Sequence, residues 1–333
     1  RESYITDTVL SAGDVLSNPL NILKNDYYMG VIDGSTEYGD IINAGPVSEF
    51  TESPKIVADS NRRSLLRTEW IEEFFDTTST PIGHGFNLID SAQEDGFACY
   101  SFVPKSDIPL KVIMLDNTQM ETDGSEDIHG HGFLDKARWD WLKKELADGD
   151  ASDQLMIIAA HIPIDVELPN SELGWWNDPQ NAVTLDGLIA ELQSHPNLLL
   201  WIAGHRHLNI VKAFTSPDPV NEPEKGFWEV ETASLRDFPQ QFRTFDIYRN
   251  SDNTISIMIT NVDPAVKDGS PASKSRKYAI AAEQLMGVDV DNHNPTNDPT
   301  IKPMTYGSYN AELIKQLSPK MQAKITNYGS PIE

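Results

Sequence analysis

Three histidines follow two apolar runs of the sequence, and their positions suggest metal chemistry. His161 comes directly after the run LMIIAA (155–160), and Gly204-His205-Arg206-His207 comes directly after LLLWIA (198–203). Imidazole is the commonest metal ligand at neutral pH, and converging imidazoles that would repel one another when protonated are satisfied by a divalent cation. The pattern favours a metal site. A hydrogen-bonded core histidine at 161 and a polar turn at 204–207 are the alternative interpretation.

The elements around these histidines predict a parallel α/β sheet that brings them to one edge. Both runs, and a third at 110–115 (LKVIML), are short and apolar, as expected for strands covered on both faces. Between them, apolar residues at helical spacing predict helices over about 135–147 and 185–192. Strand–helix–strand order is typical of parallel sheets, in which loops and ligands meet at the carboxyl ends of the strands. Gly204 allows the sharp exit from its strand that this placement requires.

The remainder of the chain divides into an amino-terminal part (1–109), a core that carries the histidines (110–263) and a carboxy-terminal extension packed on the core (264–333). Further elements are predicted from apolar spacing and strand-forming composition. They are a strand at 27–32, a helix at 64–75, antiparallel strands at 227–232, 242–248 and 254–260, and helical patches at 277–285 and 311–317.

Composition excludes several classes of function. The chain has 26 Lys and Arg against 51 Asp and Glu, so its formal charge of −25 argues against a nucleic acid or an anionic membrane surface as partner. Its single cysteine, Cys99, excludes an internal disulfide framework and a Cys-rich zinc module. The sequence contains no run of 18 apolar residues, which a membrane-spanning helix would require. Its first residues lack the charged-then-apolar order of a signal peptide.

The histidine blocks resemble a known family. A strand ending in His161-Ile162-Pro163, a crossover helix and a strand ending in Gly204-His205-Arg206-His207 look like the last two blocks of the calcineurin-like metallophosphoesterases. The resemblance covers most of residues 25–262. Segments 112–118 and 132–135 resemble the middle section of that family, and segments 28–34, 81–86 and 238–241 resemble an exported bacterial branch.

The resemblance implies a fold, an activity and a metal centre. The fold is a sandwich of two mixed β-sheets flanked by helices, and the activity is metal-dependent hydrolysis of small phosphoric esters. Two metal ions about 3.5 Å apart activate a hydroxide that attacks phosphorus in line. His161 and His205 would bind one ion and His207 the other, with Fe, Mn, Zn or Ni equally compatible. Periplasmic or secreted localisation follows from the resemblance alone, and the oligomeric state is left open.

Three earlier ligand blocks of the family have no clear counterpart. Asp-x-His, Gly-Asp and Gly-Asn-His-Asp/Glu are matched before residue 161 only by weak substitutes at Asp14 and at Gly83-His84. We therefore expect the amino-terminal part of the fold, with the bridging Asp and the general-acid His, to precede Arg1. The catalytic residues are then unknown, and the chain alone would hydrolyse little or nothing. The alternatives are a metal-incomplete binding or scaffolding protein that retains the fold and a mononuclear His₃ metalloenzyme.

Other residues have two interpretations each. His84, between two glycines, would contact substrate phosphate or fill a turn, and Arg206 would neutralise phosphate charge or pair with a local acid. His129-Gly130-His131 would form a second metal site or a polar loop, and Trp175-Trp176 would form a lid or pack in the core. A serine-elbow mechanism finds no Gly-x-Ser-x-Gly, and no Walker-type loop is present.

Overall fold

The computed structural model describes residues 28–31, 42–46, 65–118, 132–164, 176, 180–236, 239–273, 275–276, 279 and 310–327. The chain forms two compact units, Arg1–Leu66 with Ala265–Pro295 and Arg67–Pro264 with Thr296–Glu333. In the first unit, strands β1 (Tyr28–Val31) and β2 (Ile42–Pro46) pair antiparallel, and β1 agrees with the strand predicted at 27–32. No helix among the described residues is long and apolar enough to cross a membrane.

The second unit contains both larger sheets. Its helices are α1 (Arg67–Glu73), α2 (Lys136–Ala151), α3 (Leu185–Ser194) and α4 (Pro319–Lys324). Its strands are β3 (Tyr100–Phe102), β4 (Leu110–Leu115), β5 (Leu155–Ala160), β6 (Leu198–Ala203), β7 (Ile210–Phe214), β8 (Phe227–Glu231), β9 (Phe242–Arg249), β10 (Thr254–Val262) and β11 (Ala311–Gln316). The predicted strands at 110–115, 155–160 and 198–203 are confirmed at those bounds.

A six-stranded mixed sheet has the order β3-β4-β5-β6-β8-β7. Strands β4, β5, β6 and β8 are parallel, while the edge strands β3 and β7 run antiparallel to their neighbours. A second, antiparallel sheet has the order β11-β10-β9. The prediction of an α/β protein with two sheets and flanking helices is therefore confirmed, with the smaller sheet antiparallel in its described strands.

Two apolar cores cover the two faces of the large sheet. Because successive residues of a strand point to opposite faces, Met156 and Ile158 of β5 belong to one core and Leu155 and Ile157 to the other. The first core joins the sheet to α2 and α3 through Leu142, Leu146, Leu188 and Leu192. The second core joins it to the antiparallel sheet through Ile255, Ile257, Ile259 and Leu313. The sheet is thus buried on both faces, which explains its continuous apolar sequences.

The helices that connect the parallel strands begin at side-chain caps. Asp135 precedes α2, and its carboxylate accepts a hydrogen bond from the backbone N–H of Arg138 at 2.8 Å. Thr184 precedes α3, and its hydroxyl accepts from the backbone N–H of Gly187 at 3.2 Å. These bonds satisfy amides that have no partner within the helix. Both predicted helices are present, and each extends beyond the predicted end.

Two predictions about the later part of the chain need correction. The strand at 227–232 was expected to be antiparallel; β8 is antiparallel to β7, as expected, but parallel to β6, because the unpredicted strand β7 reverses the chain first. The segment 311–317 was expected to be helical, but Ala311–Gln316 is strand β11, paired with β10. The helical patch predicted at 277–285 lies almost wholly outside the described residues. The three-part division of the chain stays a prediction.

Candidate metal site at the carboxyl edge of the sheet

The structure brings His161 and His205 into contact. Because β5 and β6 are parallel neighbours, the residues that follow them leave the sheet at the same edge. His205 Nδ1 lies 3.2 Å from His161 Nε2, and the two rings are nearly perpendicular, with centroids 5.0 Å apart. The backbone N–H of Gly204 donates to the carbonyl oxygen of His161 at 3.0 Å, so the two strand ends are joined directly.

The backbone around this pair is unusual. His205 and His207 have φ angles of 71° and 60°, in the left-handed region that side-chain-bearing residues seldom occupy. The N–H of Arg206 donates to the carbonyl oxygen of Gly204 at 2.9 Å, which closes a tight turn centred on His205. Such conformations cost free energy and persist only where surrounding contacts enforce them. The Gly-His-Arg-His segment is therefore held in a specific, strained conformation.

His207 and Asp116 act on His161 through their charges. Partial burial lowers the pKa of His161, repulsion from His207 lowers it further, and Asp116 opposes both effects. His161 is nevertheless exposed at the edge of the sheet. Within the described ranges, no three His, Cys, Asp or Glu side chains form a group that could hold a metal ion. The structure therefore brings two of the three predicted ligands, His161 and His205, into contact, and the role of His207 as a ligand stays a prediction.

The spacing of the two ring nitrogens fits a pair of ligands on one metal ion. Nitrogen ligands lie about 2.0–2.1 Å from a zinc ion, so two ligands at ordinary coordination angles are separated by about 3.0–3.4 Å. The observed 3.2 Å lies in this range. The same distance suits a hydrogen bond in which one ring donates and the other accepts. The donor set is compatible with a metal, and the assignment of all three histidines stays a prediction.

Asn117 fixes the segment that follows His161. It lies two residues beyond β4 and is completely buried. Its side-chain Nδ2 donates to the carbonyl oxygen of Ile162 at 2.8 Å, and its Oδ1 accepts from the N–H of Ile162 at 3.1 Å. The amide thus satisfies both backbone groups of the residue next to His161, as a further strand residue would.

Two more buried side chains hold the rest of this segment. Trp176 Nε1 donates to the carbonyl oxygen of Pro163 at 3.2 Å, and Glu229 Oε1 accepts from the N–H of Ile164 at 2.5 Å. Trp176 is 2% exposed, which favours core packing over a lid for this residue, whereas Trp175 lies outside the described residues. We call residues 161–164 the His161 turn.

Arg206 lies in an ion pair rather than in an open position. Its guanidinium Nε and Nη2 donate to Glu231 Oε2 at 3.0 and 2.5 Å, and Glu231 is 1% exposed. Burial raises the pKa of Glu231, while Arg206 opposes that effect. Of the two interpretations of Arg206, the local ion pair is observed, and contact with substrate phosphate stays a prediction.

The end of β4 carries a second polar cluster. Asp116 pairs with Arg67 of α1 and accepts from the N–H and the hydroxyl of Thr118 at 3.1 and 2.6 Å. Arg138 of α2, 1% exposed, donates to the carbonyl oxygens of Asp116 and Thr118 at 2.9 and 2.7 Å. These bonds fix the loop from which Asn117 projects.

His84 is placed among aromatic residues. Its Nε2 lies 2.6 Å from the hydroxyl of Ser79, its carbonyl oxygen accepts from Tyr100, and its ring meets Phe74 edge-on. Its φ of 49° is left-handed, as are those of the flanking glycines. None of these described contacts reaches the three histidines above, so a role of His84 in substrate binding stays a prediction. The candidates His129, His131 and Asp14 lie outside the described residues.

No family model matches the chain. It is similar in sequence to two proteins named manganese-dependent ADP-ribose/CDP-alcohol diphosphatase. The Xenopus tropicalis protein is 24% identical over 128 residues, 37% of this chain and 35% of the relative, and the Xenopus laevis protein is 25% identical over 77 residues, 23% and 20%. The chain is similar to metal-dependent diphosphatases. It spans about a third or less of the length of these relatives.

A solved structure described as a dimetal phosphatase from Danio rerio overlaps 49% of this chain and 57% of its own, at 16% identity and a TM-score of 0.34. Because this score is low, the description of the fold depends on the strand order and directions given above and not on this match. The names of the relatives agree with the predicted class of enzyme, a phosphoric ester hydrolase that uses divalent metal. The exported bacterial branch and the missing amino-terminal blocks stay predictions.

Sequence reasoning missed the residues that hold the His161 turn. Asn117 lay within a segment noted for its resemblance but received no role, and Glu229 was passed over inside a predicted strand. The available signal was chemical: a carboxyl group in the interior of the strand FWEVE is costly to bury and so requires a partner.

Proposed function

We propose that this chain carries part of the active site of a metal-dependent phosphoric ester hydrolase of the calcineurin-like kind. The observation that supports it most directly is the pair of imidazole nitrogens 3.2 Å apart at the ends of two neighbouring parallel strands. The sequence similarity to diphosphatases supports the same reaction class. His161 and His205 bind one metal ion, and His207 contributes to a second, which makes the centre dinuclear.

The residues of the chain hold and orient the metal rather than react themselves. A bound divalent ion supplies Lewis-acid polarisation of a phosphoryl oxygen. The strained turn at 204–207 sets the direction of His205, and the His161 turn sets that of His161. Arg206, which separates His205 from His207 in the sequence, is held in a fixed position by its ion pair with Glu231.

The substrate is a small phosphoric ester or anhydride. The formal charge of −25 repels anions at long range, so a phosphate group must be attracted by the metal itself over short distances. Because the relatives are named for ADP-ribose and CDP-alcohols, we propose nucleotide-linked diphosphates as the first substrates to test.

The test combines metal binding with hydrolysis. Purified, chelator-treated protein is titrated with Mn²⁺ by calorimetry and assayed with bis-p-nitrophenyl phosphate and ADP-ribose. His161→Ala and His205→Ala should each weaken binding at the first site by at least about tenfold, and His207→Ala should remove the second. His195→Asn is the matched control, because His195 bonds to Asp150 and Glu191 and not to these histidines.

Different results reject different parts of the proposal. Manganese affinity that is the same in wild type, His161→Ala and His205→Ala contradicts the metal site. A single metal ion whose binding requires all three histidines contradicts the dinuclear centre and supports a mononuclear one. Absence of any metal binding by wild type supports a non-catalytic protein that retains the fold.

A further inference from the structure

The His161 turn is unusual because every backbone polar group from the carbonyl of His161 to the N–H of Ile164 has a partner. Gly204 N–H reaches the carbonyl of His161, and Asn117 binds both groups of Ile162. The indole of Trp176 binds the carbonyl of Pro163, and the carboxyl of Glu229 accepts from Ile164. Since Pro163 has no N–H, these bonds satisfy every backbone donor and acceptor of this stretch.

The partners are buried side chains that come from different parts of the fold. Asn117, Trp176 and Glu229 are 0%, 2% and 4% exposed. Asn117 follows β4, on one side of β5, and Glu229 belongs to β8, two strands away on the other side. Burying an amide and a carboxyl is unfavourable unless each is hydrogen-bonded. A change in the conformation of the His161 turn would leave these buried groups without partners and would therefore cost free energy.

These bonds fix the backbone from which the His161 side chain projects. The peptide between His161 and Ile162 is held at its carbonyl oxygen by Gly204 and at its N–H by Asn117. Rotation of this peptide plane would break both bonds, so the backbone that carries the imidazole cannot reorient without a large cost. The exposed ring therefore stands on a rigid, buried support.

We infer that Asn117, Trp176 and Glu229 are positioning residues that orient His161 toward His205 for metal binding. The role in metal binding rests on the proposed function, whereas the contact between the two imidazoles can be measured without metal. Groups that hydrogen-bond a metal ligand directly contribute about 10–100-fold to metal affinity, and we expect an effect near the lower end of that range because these three residues act on His161 through the backbone.

The experiment uses the full chain with four variants. Asn117→Asp keeps the acceptor for Ile162 but loses the donor, and Trp176→Phe removes only the indole N–H. Glu229→Leu removes the acceptor for Ile164, and Glu229→Gln restores it. The matched control is Asn197→Asp. Asn197 is also buried, but it immediately precedes β6, at the end of that strand opposite to the histidines, where its side chain accepts a hydrogen bond from Ser318 at 2.9 Å.

Two measurements are made on each variant. Chelator-treated protein labelled with ¹⁵N-histidine is examined by NMR for coupling across the N–H···N contact between His161 and His205. Calorimetry then gives the affinity for Mn²⁺. We expect Asn117→Asp, Trp176→Phe and Glu229→Leu to weaken the coupling and to lower affinity by about tenfold or more, while Glu229→Gln and Asn197→Asp stay close to wild type.

The results separate this inference from the proposed function. An intact imidazole pair and unchanged affinity in folded Asn117→Asp and Trp176→Phe would overturn the positioning role and leave the metal site standing. Loss of the pair in those variants, with no metal binding by wild type, would uphold the positioning role and reject the function. A wild type without coupling overturns the inference outright. Equal losses in Asn197→Asp would reduce the effect to general stability and also overturn it.

Discussion

Glu229 allows a quantitative test of the buried polar layer beneath the candidate site. Burial raises the pKa of this carboxyl from 4.5 to about 8. The hydrogen bond from Ile164 N–H opposes the shift, and repulsion from Glu231 adds to it. Replacing Glu229 by Gln keeps the acceptor oxygen for Ile164 and removes the ionisation.

The sign and size of the effect follow from linkage. Between pH 4.5 and about pH 8 the native protein retains a proton that the unfolded chain releases, so this group makes the native state less stable as pH rises through that window. The shift is 8 − 4.5 = 3.5 units. At about 1.4 kcal/mol per unit, the full effect on the free energy of unfolding is about 5 kcal/mol.

Urea unfolding followed by tryptophan fluorescence measures the difference between wild type and Glu229→Gln. The variant should match wild type below about pH 4 and become progressively more stable than wild type as pH rises from 4.5 to about 8, with no further change above. Glu312→Gln, which alters an exposed carboxyl on β11, controls for the loss of one acid. A stability difference between Glu229→Gln and wild type that does not vary with pH would refute the reasoning.

Three further predictions concern the packing around the sheet. Burial lowers the pKa of His195, but its bonds to Asp150 and Glu191 raise it overall. The pH-dependent part of the stabilisation lost in His195→Asn should therefore be largest below pH 6.5 and disappear as pH rises through the native pKa, measured by urea unfolding. Gly132→Ala would place a Cβ 2.3 Å from the Trp176 ring and should destabilise by about 1–3 kcal/mol, whereas Gly187→Ala, whose nearest neighbour is 3.0 Å away, should cost less. Thr184→Ala removes the cap of α3 and should lower the unfolding free energy by about 1 kcal/mol, with Thr184→Ser as the control; no loss in the alanine variant would contradict the capping role.

The central strands were predictable because their environment leaves a simple pattern. Strands β4, β5 and β6 lie between two apolar layers, so their sequences are apolar throughout and their bounds can be read directly. The contact between His161 and His205 was predictable from the same strands, because the residues that follow two neighbouring parallel strands leave the sheet at the same edge.

Elements that depend on distant partners were not predictable in this way. Strand β11 has the composition AELIKQ, which favours a helix, and only its pairing with β10 makes it a strand. Strand β7 is short and mixed in polarity, so it was missed, and the direction of β8 was misjudged with it. Asn117 and Glu229 act on a turn 45 and 65 residues away from them, and no local pattern encodes that contact.

The long sequence separations within the His161 turn also bear on how the protein folds. The turn is complete only when the ends of β4 and β5 and the middle of β8 have met, which requires closing loops of 45 and 65 residues. Contacts at such separations carry a loop-closure entropy and tend to form after local structure. The histidine pair should therefore mature late, so that a nascent or partly unfolded chain does not present it, and its appearance during refolding would report completion of the sheet.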